Sequence, residues 1–533
     1  MKLDKMGILD FIRGALSMST VYLLLGMTVL FLVYDLWTHT YFWRMGIPGP
    51  RPFPVIGNLA DYNDIPGALE RYSKEYGPVV GFYFWRDPIL VINDLDILRK
   101  LLIKDFGKFT NRRKLPLSSG VMDHMLFNLH GAQWKRVREI LTPTFTGRKL
   151  KIMSDALNDC ADVMVDSLRD VCKRDGIIQC KDLYGGFVMD SVARCAFGLD
   201  VNSQKDPTHP FVTNARRIFD PSSSTPYFLA VSLIPSLKPF FKLIGITFMP
   251  KDVIQFFTAV VKEAIALRKR PGAKQSADFL QLLIEAEDGT GELANENDDD
   301  DMHNMHMNSS MERPSRAKGV SKKNLSEEEI IAQAMNFLTA GYETTATSLT
   351  LGSYLLATYP DVQEKLVAEI EEMAPERDDV NYSTISKMPY LDQVVCEILR
   401  YYPPLSFNDR ECADVFTHGS YIIEPGVQVW IPIYNIHHNP THWPEPHKFD
   451  PERFSKENRE TRHPLAWMPF GAGPRMCIGT RLGLAEVKLA LVRALQEVRF
   501  ELSPQTQVPP ELGKVGFLTP PNGVLLKVVS RCE

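Results

Sequence analysis

A single cysteine near the carboxyl end of the chain has the surroundings of a reactive or metal-ligating thiolate. Cys477 lies in PFGAGPRMCIG (469–479), and the following residues, IGTRLGLAEVKLALVRAL, place apolar side chains at helical spacing. The sulfur is therefore predicted at a helix amino terminus, where free N–H groups and the helix dipole favour a thiolate. Gly471, Gly473 and Gly479 let the backbone approach closely, so that further amide hydrogens surround the sulfur.

Three kinds of site use such a thiolate: a nucleophile, a zinc site and a haem-iron ligand. The rest of the sequence helps to distinguish between them. A nucleophile needs an activating base, yet no histidine lies near Cys477 in sequence. A zinc site needs more ligands at suitable spacing, and the eight cysteines form no C-x-x-C pair. Their scatter is typical of free thiols in a reducing compartment. The axial ligand of a haem iron needs neither a base nor further protein ligands.

A second candidate site is AGYETTAT (340–347), inside a long apolar helical pattern. Small Ala340 and Gly341 leave room for a planar ligand against the helix. Glu343 and Thr344 set an acid beside an alcohol, a pair able to relay protons through a bound water. The alternative is a threonine bonded to its own helix. Asn336 precedes Ala340 by four residues and is expected on the same face, bonded either to a polar substrate group or to its own helix.

Two shorter patterns are weaker when taken alone. Trp134 and Arg138 in WKRVR share one helix face, which also describes an amphipathic helix with a basic edge. Glu397 and Arg400 in CEILR likewise share a face, as do many surface salt bridges. Arg453 follows in PERF. These pairs gain meaning only in combination with the cysteine stretch.

The elements that must position these residues are mostly helices. Helical spacing covers 131–170, 251–270, 325–358, 361–373, 390–402 and 478–497. Residues 78–94 predict a β-hairpin around the turn signal Arg86-Asp87-Pro88. The predicted fold class is mainly α with a minor β part, and the chain has no internal repeat.

The amino-terminal residues predict a membrane anchor. Between Arg13 and Asp35 lie 21 uncharged residues, enough to cross a bilayer as a helix. A signal peptide is the alternative, but the run is long and no small-residue cleavage site follows it. The flanking charges do not decide the orientation. We expect an anchor over 1–46, a proline-rich hinge over 47–58 and one catalytic domain over 59–533.

Residues 288–324 are acidic and then basic, with almost no large apolar side chain, and predict a mobile loop within that domain. His303, Met305, His306 and Met307 suggest a metal site at first sight, but a tract without fixed geometry is more often a solvated linker. The net charge of −5 gives no overall basic surface, so a nucleic-acid partner is not expected.

The pattern from Phe470 to Gly479, F-x-x-G-x-R-x-C-x-G, resembles the haem-binding signature of the cytochrome P-450 family. The resemblance extends over nearly all of the chain from Ile47 onward and implies that family's fold. It also implies haem b, iron protoporphyrin IX, with the Cys477 thiolate as axial ligand. By the same resemblance Glu397, Arg400 and Arg453 form a buried structural cluster.

The remaining motifs then acquire roles implied by the resemblance. The haem propionates are expected to bind the residues Arg112, Trp134, Arg138 and Arg475. Thr344 and Glu343 are expected to deliver protons in an oxygen-binding groove beside Ala340. The stretches FTNRRK and TPTFTGRKLKIM resemble the branch that holds thromboxane-A synthase and the liver oxidases of steroids and drugs. In that branch an arginine commonly stands at position 407, but here it is Phe407, so that Asn408 or Arg410 is the candidate substitute.

Two activities within this branch are compatible with the sequence, and a third class lies outside it. A monooxygenase inserts one oxygen atom from O2 into a lipophilic substrate, with NADPH electrons from a reductase. An isomerase rearranges a prostaglandin endoperoxide without O2 or NADPH. The synthase has an aliphatic residue where Thr344 stands, so the monooxygenase is favoured. A membrane-tethered haem sensor is the remote alternative.

The resemblance also implies location and partners. It predicts a single-pass endoplasmic-reticulum protein with a cytosolic catalytic domain, partnered by NADPH-cytochrome P-450 reductase and cytochrome b5. Lys135 and Arg136 are candidates for a basic docking face, or simply solvated charges. Residues 227–250, an apolar stretch broken by prolines, resemble a membrane-dipping loop that admits lipophilic substrates, with a buried helix pair as the alternative.

Overall fold

The computed structural model describes residues 18–114, 120–218, 238–243, 247, 249–272, 278–287 and 324–531. Within these residues the chain is mainly helical, with three small sheets. The predicted loop 288–324 lies outside the described residues except for Asn324, as does most of the predicted membrane-dipping stretch 227–250.

The helices of the amino-terminal half precede the long central helix. They are α1 (Met18–Thr38), α2 (Tyr41–Arg44), α3 (Ile65–Tyr76), α4 (Leu95–Arg99), α5 (Gly131–Leu141), α6 (Gly147–Cys172), α7 (Cys180–Val192), α8 (Pro210–Ile218), α9 (Lys238–Leu243), α10 (Lys251–Arg268) and α11 (Phe279–Glu287). The second half begins with the central helix, α12. It contains α12 (Glu327–Thr358), α13 (Pro360–Met373), α14 (Tyr382–Ile385), α15 (Pro389–Tyr401), α16 (Ile433–His437), α17 (Lys456–Glu460) and α18 (Thr480–Glu497).

The nine strands form sheets of four, three and two strands. The strands are β1 (Val79–Phe84), β2 (Asp87–Ile92), β3 (Ile177–Gln179), β4 (Asn408–Glu411), β5 (Phe416–His418), β6 (Tyr421–Ile423), β7 (Gln428–Ile431), β8 (Val498–Glu501) and β9 (Leu525–Ser530). The first sheet has the order β1-β2-β7-β4, in which only β2 and β7 run parallel. The others are β3-β9-β8 and the hairpin β5-β6.

The main core surrounds α12. Nearly every residue from Tyr342 to Ala357 is buried, and the same apolar cluster includes the inner faces of α6, α7, α15 and α18. A capping box at Ser326 and Glu329 starts this helix. A helix that is buried on nearly all sides is a rigid support. Any residue of α12 that is nevertheless exposed is therefore a candidate for contact with a ligand.

The predicted elements are found with one break. The helix predicted over 131–170 is two helices, because Pro143 has no N–H to continue the hydrogen-bond ladder and a 3-10 turn replaces it. The hairpin predicted over 78–94 is confirmed as β1 and β2. The helical spacing did not reveal α3, α7, α8 or α11.

Helix α1 is the candidate membrane span. Its residues Thr20–Thr38 are long and apolar enough to cross a bilayer, and 6% of that window is buried. Its last turns nevertheless contact the body of the protein. The Asp35 carboxylate lies 3.3 Å from Nδ1 of His39 and accepts the N–H of Val55 at 2.7 Å. Nε2 of His39 lies 2.8 Å from the carbonyl oxygen of Trp85, in the β1–β2 turn.

The predicted hinge lies against the sheet. Residues 47–58 contain no helix, as the prolines require. Gly81 in β1 donates its N–H to Pro48 O at 2.9 Å, and Asn58 donates its N–H to Tyr83 O at 2.9 Å. These bonds extend the edge of the first sheet, so the connector is held along the domain and does not stand apart from it.

Candidate functional site

The loop before α18 presents Cys477 in a tightly turned backbone. Cys477 donates its N–H to Phe470 O at 2.9 Å, which closes the loop. Gly471 and Gly473 have φ of +75° and +73°, a region that only glycine enters at little cost. A Cβ at Gly473 would lie 2.0 Å from Leu102 O. Glycine is therefore required at 473 by both conformation and space.

The Cys477 side chain borders open space although it lies deep in the protein. The residue is exposed, while its neighbours Ala472 and Arg475 are buried. Burial raises the pKa of the Cys477 thiol, and it outweighs the Gly479 N–H and the nearby Arg138, which lower it. Desolvation therefore opposes the thiolate that the helix terminus favours as long as the sulfur has no bound partner. A bound cation at the sulfur would reverse this balance.

At Ala340 the surface of α12 is not covered by neighbouring side chains, and this uncovered patch is called the α12 opening. Ala340 is exposed although it stands in the middle of a buried helix. Phe145 packs close to the cysteine loop, 4.0 Å from where a Cβ on Gly479 would lie, and stacks on Phe337 of α12 with centroids 5.8 Å apart. A Cβ at Gly341 would lie 3.2 Å from Val192, so Gly341 serves the packing on α7 and not the opening.

Arginines gather on the other side of the Cys477 loop. The guanidinium of Arg475 stacks 4.7 Å from the Trp134 ring and donates to Phe127 O at 3.4 Å and to Leu129 O. Arg138 is close enough to influence the pKa of Cys477. Arg112 pairs with Asp409 at 3.3 Å. The four predicted propionate residues are therefore brought together from the 112 segment, α5 and the cysteine loop.

This arginine cluster, defined as Arg112, Arg138, Arg410 and Arg475, has more positive charge than partners. Burial lowers the pKa of Arg138 to about 10 and that of Arg475 to about 9, and it lowers that of Arg410 well below its usual value. Arg112 also lowers the pKa of Arg475 and Arg410 by repulsion. In the described part of the chain, only Arg112 of the four has an ion-pair partner. Nε of Arg410 and Nε of Arg475 are buried without a hydrogen bond.

Phe407 stands where an arginine is expected from the resemblance, and a nearby arginine lies in the cluster instead. Phe407 turns away from the arginine cluster and stacks on Trp430, with centroids 4.0 Å apart. Arg410 lies in β4 and is 1% exposed. Of the two candidate substitutes, Arg410 is the one that enters the cluster with a charge, three residues after Phe407. Asn408 accepts a hydrogen bond from Arg410 at 3.5 Å, and which of the two takes the place of the usual arginine stays a prediction.

The residues Glu397, Arg400 and Arg453 form one buried cluster. Arg400 Nε lies 2.7 Å from Glu397 Oε2, both side chains are fully buried, and Arg453 Nε lies 3.6 Å from Glu397 Oε1. Arg400 also donates to His437 O at 2.9 Å, and Nε2 of His437 accepts the N–H of Met468 at 3.0 Å. The cluster thereby supports the loop that carries Cys477.

The acid–alcohol pair lies beside the opening in α12. Thr344 donates its hydroxyl to Ala340 O at 2.7 Å, so the back-bonded arrangement is the one observed. Its oxygen keeps lone pairs that accept from another donor. Glu343 borders a small side pocket together with Lys181, Thr347 and Thr519. The two residues thus face different surroundings, with Thr344 nearer to the Ala340 face.

A buried carboxyl that the sequence analysis missed lies next to this pair. Glu486 of α18 is 2% exposed and accepts the hydroxyl hydrogen of Thr345 at 3.3 Å. Burial raises its pKa to about 8, while the Thr345 hydrogen bond lowers it in part. Its place nine residues after Cys477, on the face of α18 that packs against α12, is the signal that would have identified it.

We expect Glu486→Gln to change how stability depends on pH. The folded protein holds a proton up to about pH 8 that the unfolded chain releases near 4.5, so stability falls as pH rises through this window. Each pKa unit corresponds to about 1.4 kcal/mol. The glutamine variant should therefore gain thermal stability over the parent at pH 8 and not at pH 5. The melting temperature is measured against pH, with the exposed Glu364→Gln as the control variant. An equal pH dependence of the melting temperature in the parent and in Glu486→Gln would contradict the assignment.

Of the two candidate docking cations, Arg136 is already engaged. It donates to Asn324 O at 2.9 Å and forms an ion pair with Glu329 at the start of α12. Lys135 is exposed. Arg136 therefore links α5 to the start of α12, whereas Lys135 is an exposed surface charge.

The arrangement suits a flat, largely apolar group that carries two carboxylates. Cys477 and Ala340 are exposed although the residues next to them in the chain are buried or half-buried, and an arginine cluster short of counter-charges lies near Cys477. These residues fit a haem: the Cys477 thiol would supply the iron ligand, and the arginines Arg112, Arg138, Arg410 and Arg475 with Trp134 would supply donors for the propionates.

Comparison with known proteins agrees with this geometry. The sequence model of the family Cytochrome P450 matches residues 47–528. The chain is 39% identical to Cytochrome P450 3A6 of Oryctolagus cuniculus over 97% of this chain and 98% of that protein. It is 38% identical to Cytochrome P450 3A9 of Rattus norvegicus, over 97% and 98%, and 37% identical to Cytochrome P450 3A29 of Sus scrofa, over 98% and 99%.

Proposed function

Because the chain belongs to the cytochrome P450 family, and so is a haem-thiolate monooxygenase, we propose that Cys477 is its iron ligand and that lipophilic molecules are its substrates. One observation carries the assignment of the site. Cys477 and Ala340 are both exposed between buried or half-buried neighbours, Phe145 lies between the cysteine loop and α12, and the arginine cluster near Cys477 has few anions to balance it. Two propionates supply those anions.

The protein's contribution to haem binding is electrostatic and steric. Arg112, Arg138, Arg410 and Arg475 donate charge-assisted hydrogen bonds to carboxylates, and the buried Nε groups gain partners. The closed glycine loop holds the Cys477 sulfur, and the Gly479 N–H lowers the pKa of its thiol. When bound, the haem supplies the iron that activates dioxygen and the thiolate-enriched electron density that favours cleavage of the O–O bond.

Proton delivery is assigned to the α12 opening. The Thr344 hydroxyl donates to Ala340 O, and its free lone pairs hold a water beside the opening. The Glu343 carboxylate borders a side pocket from which it exchanges protons with solvent. Together, Glu343 and Thr344 transfer protons from solvent to the Ala340 face of α12 without exposing the core to water.

We expect Thr344→Ala to separate electron use from product formation. Without the hydroxyl, protons reach the site less selectively, and product formed per NADPH consumed should fall by about 10- to 100-fold. The ratio is measured as product against NADPH oxidised. Thr358→Ala is the matched control, because Thr358 makes the same bond to its own helix, to Tyr354 O at 2.8 Å, far from the opening. Unchanged coupling in Thr344→Ala would remove Thr344 from the relay.

The electron source and location form a further part of the proposal. An NADPH-dependent reductase, with cytochrome b5 as a second donor, supplies electrons at the face that carries Lys135. Helix α1 anchors the protein in the endoplasmic-reticulum membrane with the catalytic domain in the cytosol. The length of α1, its exposure and its dense contacts with the β1–β2 turn support a single anchor close to the domain.

The decisive experiment offers the membrane-reconstituted protein two kinds of substrate. One arm supplies a prostaglandin endoperoxide without reductase or NADPH. The other supplies steroids and fatty acids with both. Oxidation that depends strictly on NADPH supports the proposal, and rearrangement of the endoperoxide without electrons, with no oxidation in the second arm, overturns it in favour of an isomerase.

A further inference from the structure

We propose that Glu486 is a positioning residue that holds Thr344 in a fixed place relative to the Cys477 loop. Glu486 acts through Thr345, the neighbour of Thr344 on α12, whose hydroxyl donates to Glu486 Oε2 at 3.3 Å. This inference rests on the proposed function, since it assigns a role in the proton delivery by Thr344. Glu486 belongs to α18 and Thr345 to α12, so this hydrogen bond, the Glu486–Thr345 link, joins the two helices directly.

Helix α18 connects Glu486 to the cysteine loop. Cys477 lies just before Thr480, the first residue of α18, and Thr480 donates its hydroxyl to Cys477 O at 2.9 Å. Gly483 donates its N–H to Gly479 O at 2.9 Å, so the helical hydrogen bonds begin directly after the cysteine. Glu486 follows within about two helical turns. The position of the cysteine loop therefore fixes that of Glu486.

The other end of the link lies next to the α12 opening. Successive residues of a helix point about 100° apart, so Thr345 is directed at α18 while Thr344 is directed at the Ala340 face. The exposures agree, because Thr345 is 4% exposed whereas Thr344 is half-buried. A rotation of α12 that moves Thr344 also moves Thr345 against Glu486. The link therefore opposes rotation of α12 at the hydroxyl that delivers protons.

The cost of burying Glu486 argues against a role in stability alone. Its neighbours Ala485 and Val487 are apolar and buried, and Glu486 is itself 2% exposed. Among the described residues its buried Oε1 has no hydrogen-bond partner. Such an atom destabilises the folded state, and one hydrogen bond from a neutral hydroxyl offsets only part of that cost. An apolar side chain of similar size would pack there at lower cost, so we expect the carboxyl to serve the site.

Two measurements test the link, and the first does not depend on turnover. Amide hydrogen exchange of the α12 peptides that contain residues 344–349 is followed by mass spectrometry in the haem-loaded, full-length protein in nanodiscs. We expect Glu486→Leu to speed this exchange by about 5-fold, because the loss of one neutral hydrogen bond eases local opening of the helix. Glu486→Gln keeps an acceptor for the Thr345 hydroxyl and should exchange as the parent does. Unchanged exchange in Glu486→Leu overturns the link.

The second measurement is product formed per NADPH consumed. Glu486→Leu should lower this ratio by about 5-fold while the haem content and the carbon monoxide difference spectrum stay parental, and Glu486→Gln should keep the parental ratio. Thr345→Val should lower the ratio equally, and the double variant Glu486→Leu/Thr345→Val no further, because both changes remove the same bond. A role in stability alone predicts a lower haem content with an unchanged ratio in the protein that still holds haem, and that result overturns the proposal.

Glu497→Gln is the matched control, because Glu497 lies on the same helix but pairs with the exposed Arg169 at 2.6 Å. It should leave both measurements unchanged, and a loss equal to that in Glu486→Leu overturns the assignment. Failure of the proposed function has a different signature, since NADPH-dependent oxidation is then absent in the parent as well. Hydrogen exchange still reports in that case whether Glu486 holds this part of α12.

Discussion

Replacement of Cys477 with alanine abolishes the haem-thiolate absorption of the carbon monoxide complex and all oxidation that depends on it. Cys477 is the only residue of the turn from Phe470 to Cys477 that can supply a thiolate, and its N–H bond to Phe470 O closes that turn. Loss of an iron ligand removes the chemistry itself, so the expected activity is at the background level. The measurement is the reduced carbon monoxide difference spectrum, together with the haem content per polypeptide.

Cys172→Ser provides the control for this result. Cys172 ends α6, is partly exposed and lies outside the site, so its replacement should leave the spectrum intact. Haem that remains bound in Cys477→Ala through the arginine cluster alone would give an altered spectrum and not the parental one. Survival of the thiolate absorption in Cys477→Ala would mean that another cysteine is the ligand.

Replacement of Arg400 with leucine destabilises the fold and prevents haem incorporation. It leaves the Glu397 carboxylate fully buried, with the more distant Arg453 as its remaining ion-pair partner among the described residues. Burial already raises the pKa of Glu397, and Arg400 is the foremost group that lowers it. Breaking one partner of a buried pair costs about 3–5 kcal/mol. It also removes the bond to His437 O and so loosens the support of Met468.

A surface pair provides the comparison. Lys365 and Glu452 form an ion pair whose side chains are 57% and 52% exposed. Lys365→Ala should cost about 1 kcal/mol or less, because water competes for both charges. Denaturant unfolding and the yield of haem-loaded protein measure both variants. Equal losses in Arg400→Leu and Lys365→Ala would show that the buried cluster has no special role.

The motifs, the chemistry that they imply and the helical periodicity could be predicted from the amino-acid sequence alone. The ten-residue stretch ending at Gly479 identified the family, which the comparisons confirm, and the periodic stretches became α10, α12, α13, α15 and α18. These features depend on neighbours within a few residues, which sequence order records directly. The split between α5 and α6 is of the same kind, since Pro143 marks it, and the prediction of one continuous helix there was wrong.

Other features depended on residues that the chain brings together from far apart. The desolvation of Cys477, the charge excess of the arginine cluster and the burial of Arg410 arise only when β4, α5 and the cysteine loop meet. The contact between Thr345 and Glu486 joins residues 141 positions apart. Burial and electrostatic interaction depend on distance in space and on the exclusion of water, and neither is written in local spacing.

The sequence by itself thus determined the family, the haem-thiolate chemistry, the helices α10, α12, α13, α15 and α18, and the candidate residues. The tertiary structure decided the neighbours of the candidates: Ala340 is exposed whereas Gly341 packs on α7, and Phe407 stacks on Trp430 whereas Arg410 is buried near Arg112 and Arg475. The physical reason is that residue type sets what a side chain is able to do, while packing sets its neighbours, its hydration and hence its charge.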